Sequence, residues 1–269
     1  MKKIGFIGAG NMAEAIMRGA TKNGFLSASE IIAYDVDADK CMEIKKKYGI
    51  SIACDNIALV HEAEMIVVAI KPIFVKDVLQ EIAPHFSYKK LISIAAGWTN
   101  QMLKNALSTV SNLQMLRVMP NTPALVGAGF TALCEENSFD EADISWTKKL
   151  FNTFGQAEMF PERLFDAVIA VSGSSPAYVF MLIEAMADGA VKLGMPRTNA
   201  YNAAAQAVLG AAKMVLETGE HPGRLKDNVC SPGGTTIEAV HALEQGGLRA
   251  AIMDAMDICA QKSRAMAQD

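Results

Sequence analysis

A glycine-rich segment near the start of the chain has the residue types and spacing of a phosphate-binding turn. Residues 8–13 read GAGNMA, fit the pattern G-x-G-x-x-G/A, and directly follow the apolar run 4–7. The first glycine permits a tight turn, and the second lets a pyrophosphate approach the positive end of the helix that follows. This context predicts a dinucleotide site, and the alternative is a glycine turn without a ligand. The residues expected to contact the cofactor here are Gly8, Ala9, Gly10, Asn11 and Met12.

An acidic residue follows the next apolar run. Asp35 comes directly after residues 31–34, about 20 residues beyond the glycine turn, where dinucleotide folds place a carboxylate against the adenosine ribose hydroxyls. Such a carboxylate repels a 2′-phosphate, so Asp35 favours NADH over NADPH. The alternative is that Asp35 or Asp37 caps the following helix, and the two roles are compatible.

A second glycine-rich turn lies far along the chain. Residues 231–236 read SPGGTT and precede apolar positions at helical spacing, Ile237, Val240 and Leu243. Two glycines before a helix leave backbone N–H groups accessible, which suits an anion such as a substrate carboxylate. Thr235 and Glu238 also have the spacing of a capping box, so an ordinary capped helix start is the alternative.

The apolar pattern predicts the elements that must position these turns. Six short runs, at 4–7, 31–34, 50–53, 65–70, 91–95 and 113–119, alternate with amphipathic stretches of helical length. This alternation predicts an α/β fold with a Rossmann-type doubly wound, mostly parallel sheet. After residue 160 we expect no strand, and long helices over 165–194, 199–218 and 236–268. The expected domains are a dinucleotide-binding domain over residues 1–160 and an all-helical domain over residues 161–269.

Composition narrows the possible partners. There are 25 Lys and Arg against 29 Asp and Glu, a formal net charge of −4, which does not favour nucleic acid. The five cysteines are scattered without a C-x-x-C pair, as is typical of a reduced, cytoplasmic chain without structural zinc. The uncharged stretch 167–183 is interrupted by Ser, Gly and Pro, so we expect a buried segment and not a membrane span. We therefore expect no nucleic-acid, membrane or metal partner.

Taken together, the motifs resemble those of pyrroline-5-carboxylate reductases. Besides the glycine fingerprint they are AIKP at 69–72, MPNTPA at 119–124, SGSSPAY at 172–178, and HPGRLKDNVCSPGGTTIEA at 221–239. The resemblance spans nearly the whole chain in order. It implies NAD(P)H-dependent reduction of 1-pyrroline-5-carboxylate to L-proline, the last step of proline biosynthesis. It also implies a homodimer through the C-terminal helices, often within a ring of dimers, and the alanine-rich composition of residues 161–269 agrees with helices buried by a second subunit.

The resemblance further implies roles for the matching residues. Ser231, Gly233, Gly234 and Thr235 would hold the substrate carboxylate, and Thr236 would bind the ring nitrogen as the catalytic residue. Further cofactor contacts implied by it are Asn56, Ile70, Lys71, Pro72, Ala96 and Asn228. Members that favour NADPH often have a small hydroxyl residue at the position of Asp35, so the resemblance leaves the cofactor as NADH or NADPH, and the local chemistry favours NADH.

Two other functions compete with this one. A β-hydroxyacid dehydrogenase of similar layout would need a lysine on a helix of the second domain as its acid and base. Lys192 and Lys213 are available, but their sequence surroundings do not match that use. A non-enzymatic dinucleotide sensor would use the first domain alone, and the turn at 231–236 would then be a cap without a ligand.

Overall fold

A single eight-stranded sheet organises the first part of the computed structural model, which describes residues 2–266. Its strands are β1 Lys2–Ile7, β2 Ile31–Tyr34, β3 Ser51–Ile52, β4 Ala63–Val68, β5 Lys90–Ser93, β6 Gln114–Pro120, β7 Gly129–Cys134 and β8 Gly155–Phe160. They lie in the order β3-β2-β1-β4-β5-β6-β7-β8, and every neighbouring pair is parallel except β6 and β7. Because β1 pairs with both β2 and β4, the strand order reverses beside it, which is where doubly wound sheets bind ligands.

Twelve α-helices accompany the sheet in the described residues. They are α1 Asn11–Lys22, α2 Ala38–Tyr48, α3 Asn56–Glu62, α4 Pro72–Ile82, α5 Asn100–Ala106, α6 Glu141–Asn152, α7 Phe165–Val168, α8 Ser175–Lys192, α9 Arg197–Thr218, α10 Pro222–Val229, α11 Thr235–Gln245 and α12 Leu248–Met266. A π-helical segment, Ile169–Gly173, joins α7 to α8.

Two apolar layers cover the two faces of the sheet. Ile4 and Phe6 of β1 are fully buried in the layer that includes α1 and α6, whereas Ile7 is buried in the layer that includes α3 and α4. Helices on both faces explain why the parallel strands are almost continuously apolar. The predicted Rossmann-type α/β class is therefore confirmed.

The sequence prediction missed two strands. All six predicted runs contain a strand, but β7 and β8 extend the sheet beyond β6. Strand β8 lies at the sheet edge, where Gln156 and Glu158 are exposed and Ala157 between them is buried. Apolar and polar residues alternate in β8 over a few positions only. The strand therefore contains no continuous apolar run, which was the pattern that predicted the other strands.

The division into compact units differs from the predicted domains. Residues 2–173 and 259–266 pack as one unit, and residues 174–258 form the other. Past residue 160 the chain remains in the first unit because Glu162 accepts a hydrogen bond from the buried Arg117 at 2.8 Å. The end of α12 also belongs there, since the Ser263 hydroxyl donates to Asp166 at 2.7 Å. The domain bounds 1–160 and 161–269 stay a prediction.

The second unit is helical, as expected, but its helices differ from the predicted ones. The predicted helix over 236–268 is wrong, because α11 ends at Gln245 and α12 begins at Leu248. Gly246 and Gly247 separate them, and Gly247 has a φ of 73°, a conformation that interrupts a helix and favours glycine. Helix α10 was not predicted.

One helical stretch, Glu162–Lys192, is long and apolar enough to cross a membrane by length and composition alone. A single stretch of this kind is weak evidence for membrane insertion. In the single chain, the expected burial of 167–183 is found only in part: Val168, Ile169 and Ala170 are buried, whereas Phe180 and Met181 of α8 are 64% and 69% exposed. The only buried side chain of α8 is that of Ala187, which lies against α9.

Candidate functional site

The glycine turn after β1 is held by a very close backbone contact. Gly8 has a φ of 101°, and a Cβ atom there would lie 2.5 Å from the carbonyl oxygen of Ala69, just beyond β4. The Gly8 N–H donates to the carbonyl oxygen of Tyr34, at the end of β2, at 2.7 Å. The turn therefore joins the ends of three neighbouring strands, and only glycine fits it.

Open space lies in front of the next glycine. Gly10 is the N-cap of α1, no side chain caps this helix, and a Cβ atom at Gly10 would meet no protein atom within 4 Å. The first turn of α1 therefore presents backbone N–H groups without a capping side chain at the positive end of its dipole. Asn11 in this turn is exposed and Met12 is half-buried. This arrangement fits a dinucleotide pyrophosphate.

Asp35 supports the glycine turn from the end of β2. One carboxylate oxygen accepts from the Ala9 N–H at 2.8 Å, and the other accepts from the Asp37 N–H at 2.9 Å. The cap of α2 is Asp37, whose side chain accepts from the N–H groups of Asp39 and Lys40. The Lys40 N–H, with other contacts, lowers the pKa of Asp37. Asp37 is therefore the residue that caps α2, and the Asp35 carboxylate binds the glycine turn instead.

A cavity of about 230 Å³ lies beside Asp35. It brings together four of the predicted cofactor residues, Gly8, Asp35, Asn56 and Ile70, and its other lining residues are Ile7, Tyr34, Val36, Phe74, Asp77 and Val78. None of these six residues was predicted as a contact, and the last three lie on α4. They follow the predicted contacts Lys71 and Pro72 at helical spacing along α4, and that spacing was the available signal.

Asn56 has a polar atom without a partner in the described structure. Its side chain is only 8% exposed, and its Nδ2 donates to the Glu81 carboxylate at 2.9 Å. Its Oδ1 is buried and accepts no hydrogen bond from the described residues. An unpaired buried acceptor is costly, and a ribose hydroxyl is the kind of donor that would satisfy it. The wall of this cavity therefore fits the adenosine ribose of a dinucleotide.

The remaining cofactor candidates of the first unit lie at the ends of β4 and β5. Pro72 and Ala96 line a larger cavity of about 640 Å³, together with Trp98. The Trp98 indole donates to the Pro72 carbonyl oxygen at 3.1 Å, which connects the two loops. Lys71 lines neither of these cavities. Its side chain is exposed and forms no hydrogen bond or ion pair with residues 2–266.

The turn at 231–236 belongs to the second unit and has its own glycine requirements. Gly233 has a φ of 65°, and the Gly234 N–H donates to the Ser231 carbonyl oxygen at 3.0 Å. A Cβ atom at Gly234 would lie 2.3 Å from the Ser231 hydroxyl. Gly234 is also the N-cap of α11, and no side chain caps that helix. The expected capping box is therefore wrong, because Thr235 is the first helical residue and not the cap.

The same end of α11 carries the predicted catalytic residue. Thr236 is half-buried in the first turn, and its hydroxyl forms no hydrogen bond with the described part of the chain. Asn228, a predicted cofactor contact, lies on α10 shortly before this turn and not in the first unit with the others. Helix α10 begins with its own cap, since His221 Nδ1 accepts from the Gly223 N–H at 3.1 Å. Proline is common at the first position of a helix, so Pro222 directly after His221 was a sequence signal for the start of α10.

The two buried cysteine thiols are poor nucleophiles. Burial raises the pKa of the Cys134 thiol to about 11, and burial likewise raises the pKa of Cys41. Both thiols are protonated at neutral pH, and the thiolate is the nucleophilic form. Each glycine turn offers backbone N–H groups instead, and the second turn also carries the Thr236 hydroxyl.

Fold and turns together define a dinucleotide-dependent oxidoreductase with a sheet domain and a helical unit. Residues 162–266 match the family model described as pyrroline-5-carboxylate reductase dimerisation, and residues 3–97 match the model for coenzyme F420-dependent NADP oxidoreductases. The chain is 48% identical to pyrroline-5-carboxylate reductase of Escherichia coli (strain K12), over 99% of both chains. It is 43% identical to the Methanosarcina acetivorans protein of the same name, over 98% of this chain and 97% of the relative. The chain belongs to the pyrroline-5-carboxylate reductase family.

Solved structures agree with this membership. A pyrroline-5-carboxylate reductase from Coxiella burnetii superposes with a TM-score of 0.91 at 33% identity, over 98% of each chain. A Plasmodium falciparum pyrroline carboxylate reductase with NADP bound superposes with a TM-score of 0.89 at 32% identity, over 99% of this chain and 98% of that one.

The two glycines of the first turn predict different effects of substitution. Gly10→Val places its side chain in open space, so we expect a melting temperature close to that of the wild type. The same side chain obstructs the pyrophosphate, so we expect NADH affinity to fall about 100-fold or more, or about 3 kcal/mol. Calorimetric titration with NADH measures the affinity, and thermal unfolding followed by circular dichroism measures the stability.

Gly8→Ala is the matched control. It should lower the melting temperature as well as NADH affinity, because its Cβ atom meets the backbone of Ala69. Wild-type NADH affinity in a folded Gly10→Val variant would contradict the assignment of the pyrophosphate to this turn.

Proposed function

We propose that this chain reduces 1-pyrroline-5-carboxylate to L-proline with a hydride from a nicotinamide dinucleotide. The observation that carries the proposal is that α11 begins after two glycines and has no side-chain cap. The chain also belongs to the pyrroline-5-carboxylate reductase family. A carboxylate fits such an N-terminus. The dehydrogenase alternative loses support because Lys213 is exposed and pairs with Glu217 at 3.4 Å. The sensor alternative leaves the form of the 231–236 turn unexplained.

The reaction needs little acid–base chemistry from the protein. A protonated cyclic imine is already an electrophile. When bound, the dinucleotide supplies a hydride from nicotinamide C4, which forms a bond to the imine carbon while the C=N π electrons pass to nitrogen. The tasks left to the protein are binding and orientation, which can account for a large share of a rate enhancement.

Each turn has a task in this mechanism. The first turn of α1 and the Gly8 turn hold the pyrophosphate, and Asp35 keeps the turn in shape. In the second unit, the Ser231 hydroxyl and the N–H groups around Gly234 and Thr235 bind the substrate carboxylate. The Thr236 hydroxyl accepts a hydrogen bond from the protonated imine nitrogen and so fixes which face of the ring receives the hydride.

NADH is the preferred reductant in this proposal. Asp35 is a carboxylate at the ribose end of the dinucleotide site, and it already braces the glycine turn through Ala9. A ribose 2′-hydroxyl can donate to such a carboxylate, whereas a 2′-phosphate is repelled by it. We place the reaction in the cytoplasm because the five cysteines are free.

Replacing Thr236 tests the proposed chemistry. Thr236→Ala should lower kcat/KM for 1-pyrroline-5-carboxylate about 10- to 100-fold, the loss expected for one hydrogen bond to a charged group, and leave the Kd for NADH unchanged. Steady-state kinetics followed by nicotinamide absorbance give the first value, and calorimetry gives the second. Thr236→Ser keeps the hydroxyl and should retain most activity. Unchanged kcat/KM in Thr236→Ala would remove this residue from the mechanism.

Replacing Asp35 tests the cofactor preference. Asp35→Ser removes the negative charge and leaves a hydroxyl, so the ratio of kcat/KM with NADPH to that with NADH should rise about tenfold or more. The measurement compares both cofactors at saturating imine. Asp39→Asn, an exposed aspartate on α2, is the control for a change of one charge. A ratio that stays at the wild-type value would show that Asp35 does not face the ribose.

A homodimer through the C-terminal helices completes the proposal. The second unit exposes a series of large apolar side chains on four helices, and they include Phe180, Met181, Leu209, Met214, Leu216, Leu243, Met253 and Ile258. Soluble monomers rarely expose large apolar patches. Burial of these side chains by a second copy explains the apolar composition of α8 without a membrane, and rings of such dimers are a further step of the proposal.

The mass in solution tests the dimer. Light scattering on the eluted protein should give twice the mass of one chain or a multiple of it. Phe180→Glu places a charge on the exposed face of α8 and should shift the protein toward a single chain, because an unpaired charge is costly to bury. Lys104→Glu, on α5 of the first unit, should leave the mass unchanged. A wild-type protein with the mass of one chain at micromolar concentration would contradict the dimer.

A further inference from the structure

All charged side chains that line the cavity beside Asp35 are negative. Its lining includes two carboxylates, those of Asp35 and Asp77, and none of its described lining residues is Lys, Arg or His. The two residues come from different elements, since Asp35 follows β2 and Asp77 lies on α4. A ligand that enters this cavity therefore meets negative charge from two sides.

One face of α4 forms its side of the cavity. Phe74, Asp77 and Val78 are three and four residues apart, which places them on the same face of the helix, and all three line the cavity. Glu81 continues this face by one turn and accepts the hydrogen bond from Asn56 at 2.9 Å. Asp77 is exposed, and its carboxylate forms no hydrogen bond or ion pair with residues 2–266.

Three polar side chains of this cavity offer acceptors, and the Tyr34 hydroxyl can both donate and accept. Glu81 takes the hydrogen bond of the Asn56 Nδ2, so Oδ1 is the Asn56 atom left without a partner. Asp35 and Asp77 contribute carboxylate oxygens, which accept only. A ribose with a free 2′-hydroxyl offers donors to such a set, whereas a 2′-phosphate adds negative charge and further acceptors.

We infer that Asp77 is a second specificity determinant, separate from Asp35, that makes this cavity select a dinucleotide with a free 2′-hydroxyl. The inference rests on the proposed function, because the adenosine half of the cofactor must occupy the cavity. Asp77 acts through its charge and needs no direct contact with the ribose. Selection by two carboxylates on different elements also predicts that Asp35→Ser alone leaves part of the discrimination against a 2′-phosphate in place.

Ligands that contain only the adenosine half isolate this effect from catalysis. Calorimetric titration gives the Kd values of 5′-AMP and adenosine 2′,5′-bisphosphate for the wild type, Asp77→Asn and Asp77→Lys. Asp77→Asn keeps the shape of the side chain and removes its charge, and Asp77→Lys reverses the charge. Glu62→Gln, at the exposed end of α3 outside the cavity lining, is the control for loss of one charge.

We expect the preference for 5′-AMP over the bisphosphate to fall about three- to fivefold in Asp77→Asn, the effect of one charge acting on a phosphate through about 8 Å of largely aqueous surroundings. In Asp77→Lys the fall should reach about tenfold or more, because repulsion becomes attraction. When either Asp77 variant is combined with Asp35→Ser, the preference for 5′-AMP over the bisphosphate should fall further than in the Asp77 variant alone. The Kd for 5′-AMP itself should change little, and Glu62→Gln should bind both ligands as the wild type does.

An unchanged preference in Asp77→Asn, in a protein that binds 5′-AMP normally, would overturn the inference and leave the proposed function intact. Circular dichroism checks that each variant folds, and Asp77→Asn decides the matter if Asp77→Lys does not fold. A folded wild-type protein that binds neither NADH nor 5′-AMP would overturn the proposed cofactor site, and this inference with it.

Discussion

The structure depends on the close backbone contact between Gly8 and Ala69. At this point β1 has a neighbour on each side, and its chain must turn away from the sheet without a side chain to reach α1. A Cβ atom at Gly8 would separate the ends of β1 and β4, and the crevice at the reversal of strand order would lose its shape. The uncapped N-terminus of α1, the position of Asp35 and the cavity beside it all follow from this turn. In our proposal, the charge of the cavity determines which dinucleotide the turn accepts.

Local sequence patterns predicted the parts of the protein that local geometry controls. The glycine turn at 8–13 and the helix start after the 231–234 turn have signals in their own sequence, and the structure has a turn followed by a helix at both places. Several features depend on distant residues and were missed. Strand β8 has few apolar residues because it lies at an edge, and Asp77 belongs to the cavity only because α4 packs beside the end of β2. Composition alone could not tell which side chains of α8 the single chain leaves exposed, because an apolar helix has the same composition whether its own chain or a second copy covers it.

The chemistry assigned to this chain relies on backbone N–H groups more than on titratable side chains. Both glycine turns precede helices that lack side-chain caps, and these are sites that attract anions. The dinucleotide and the substrate are both anions. A helix N-terminus without a side-chain cap is present in each unit, and in our proposal each of them binds one of these anions. The buried Cys134 thiol stays protonated. In our proposal the Thr236 hydroxyl, which forms no hydrogen bond with the described residues, orients an imine that needs no activation beyond its own proton. In our proposal, these groups accelerate the reaction by binding and orienting the two reactants.

Isotope transfer from the cofactor to the product tests this account most directly. The measurement is turnover of 1-pyrroline-5-carboxylate in ordinary water with NADH that carries deuterium at both C4 positions, followed by mass spectrometry and NMR of the product. Direct transfer between two positioned reactants predicts L-proline with one deuterium, located at the carbon that was part of the C=N bond. Proline without deuterium, or NADH oxidation that does not require the imine, would contradict it.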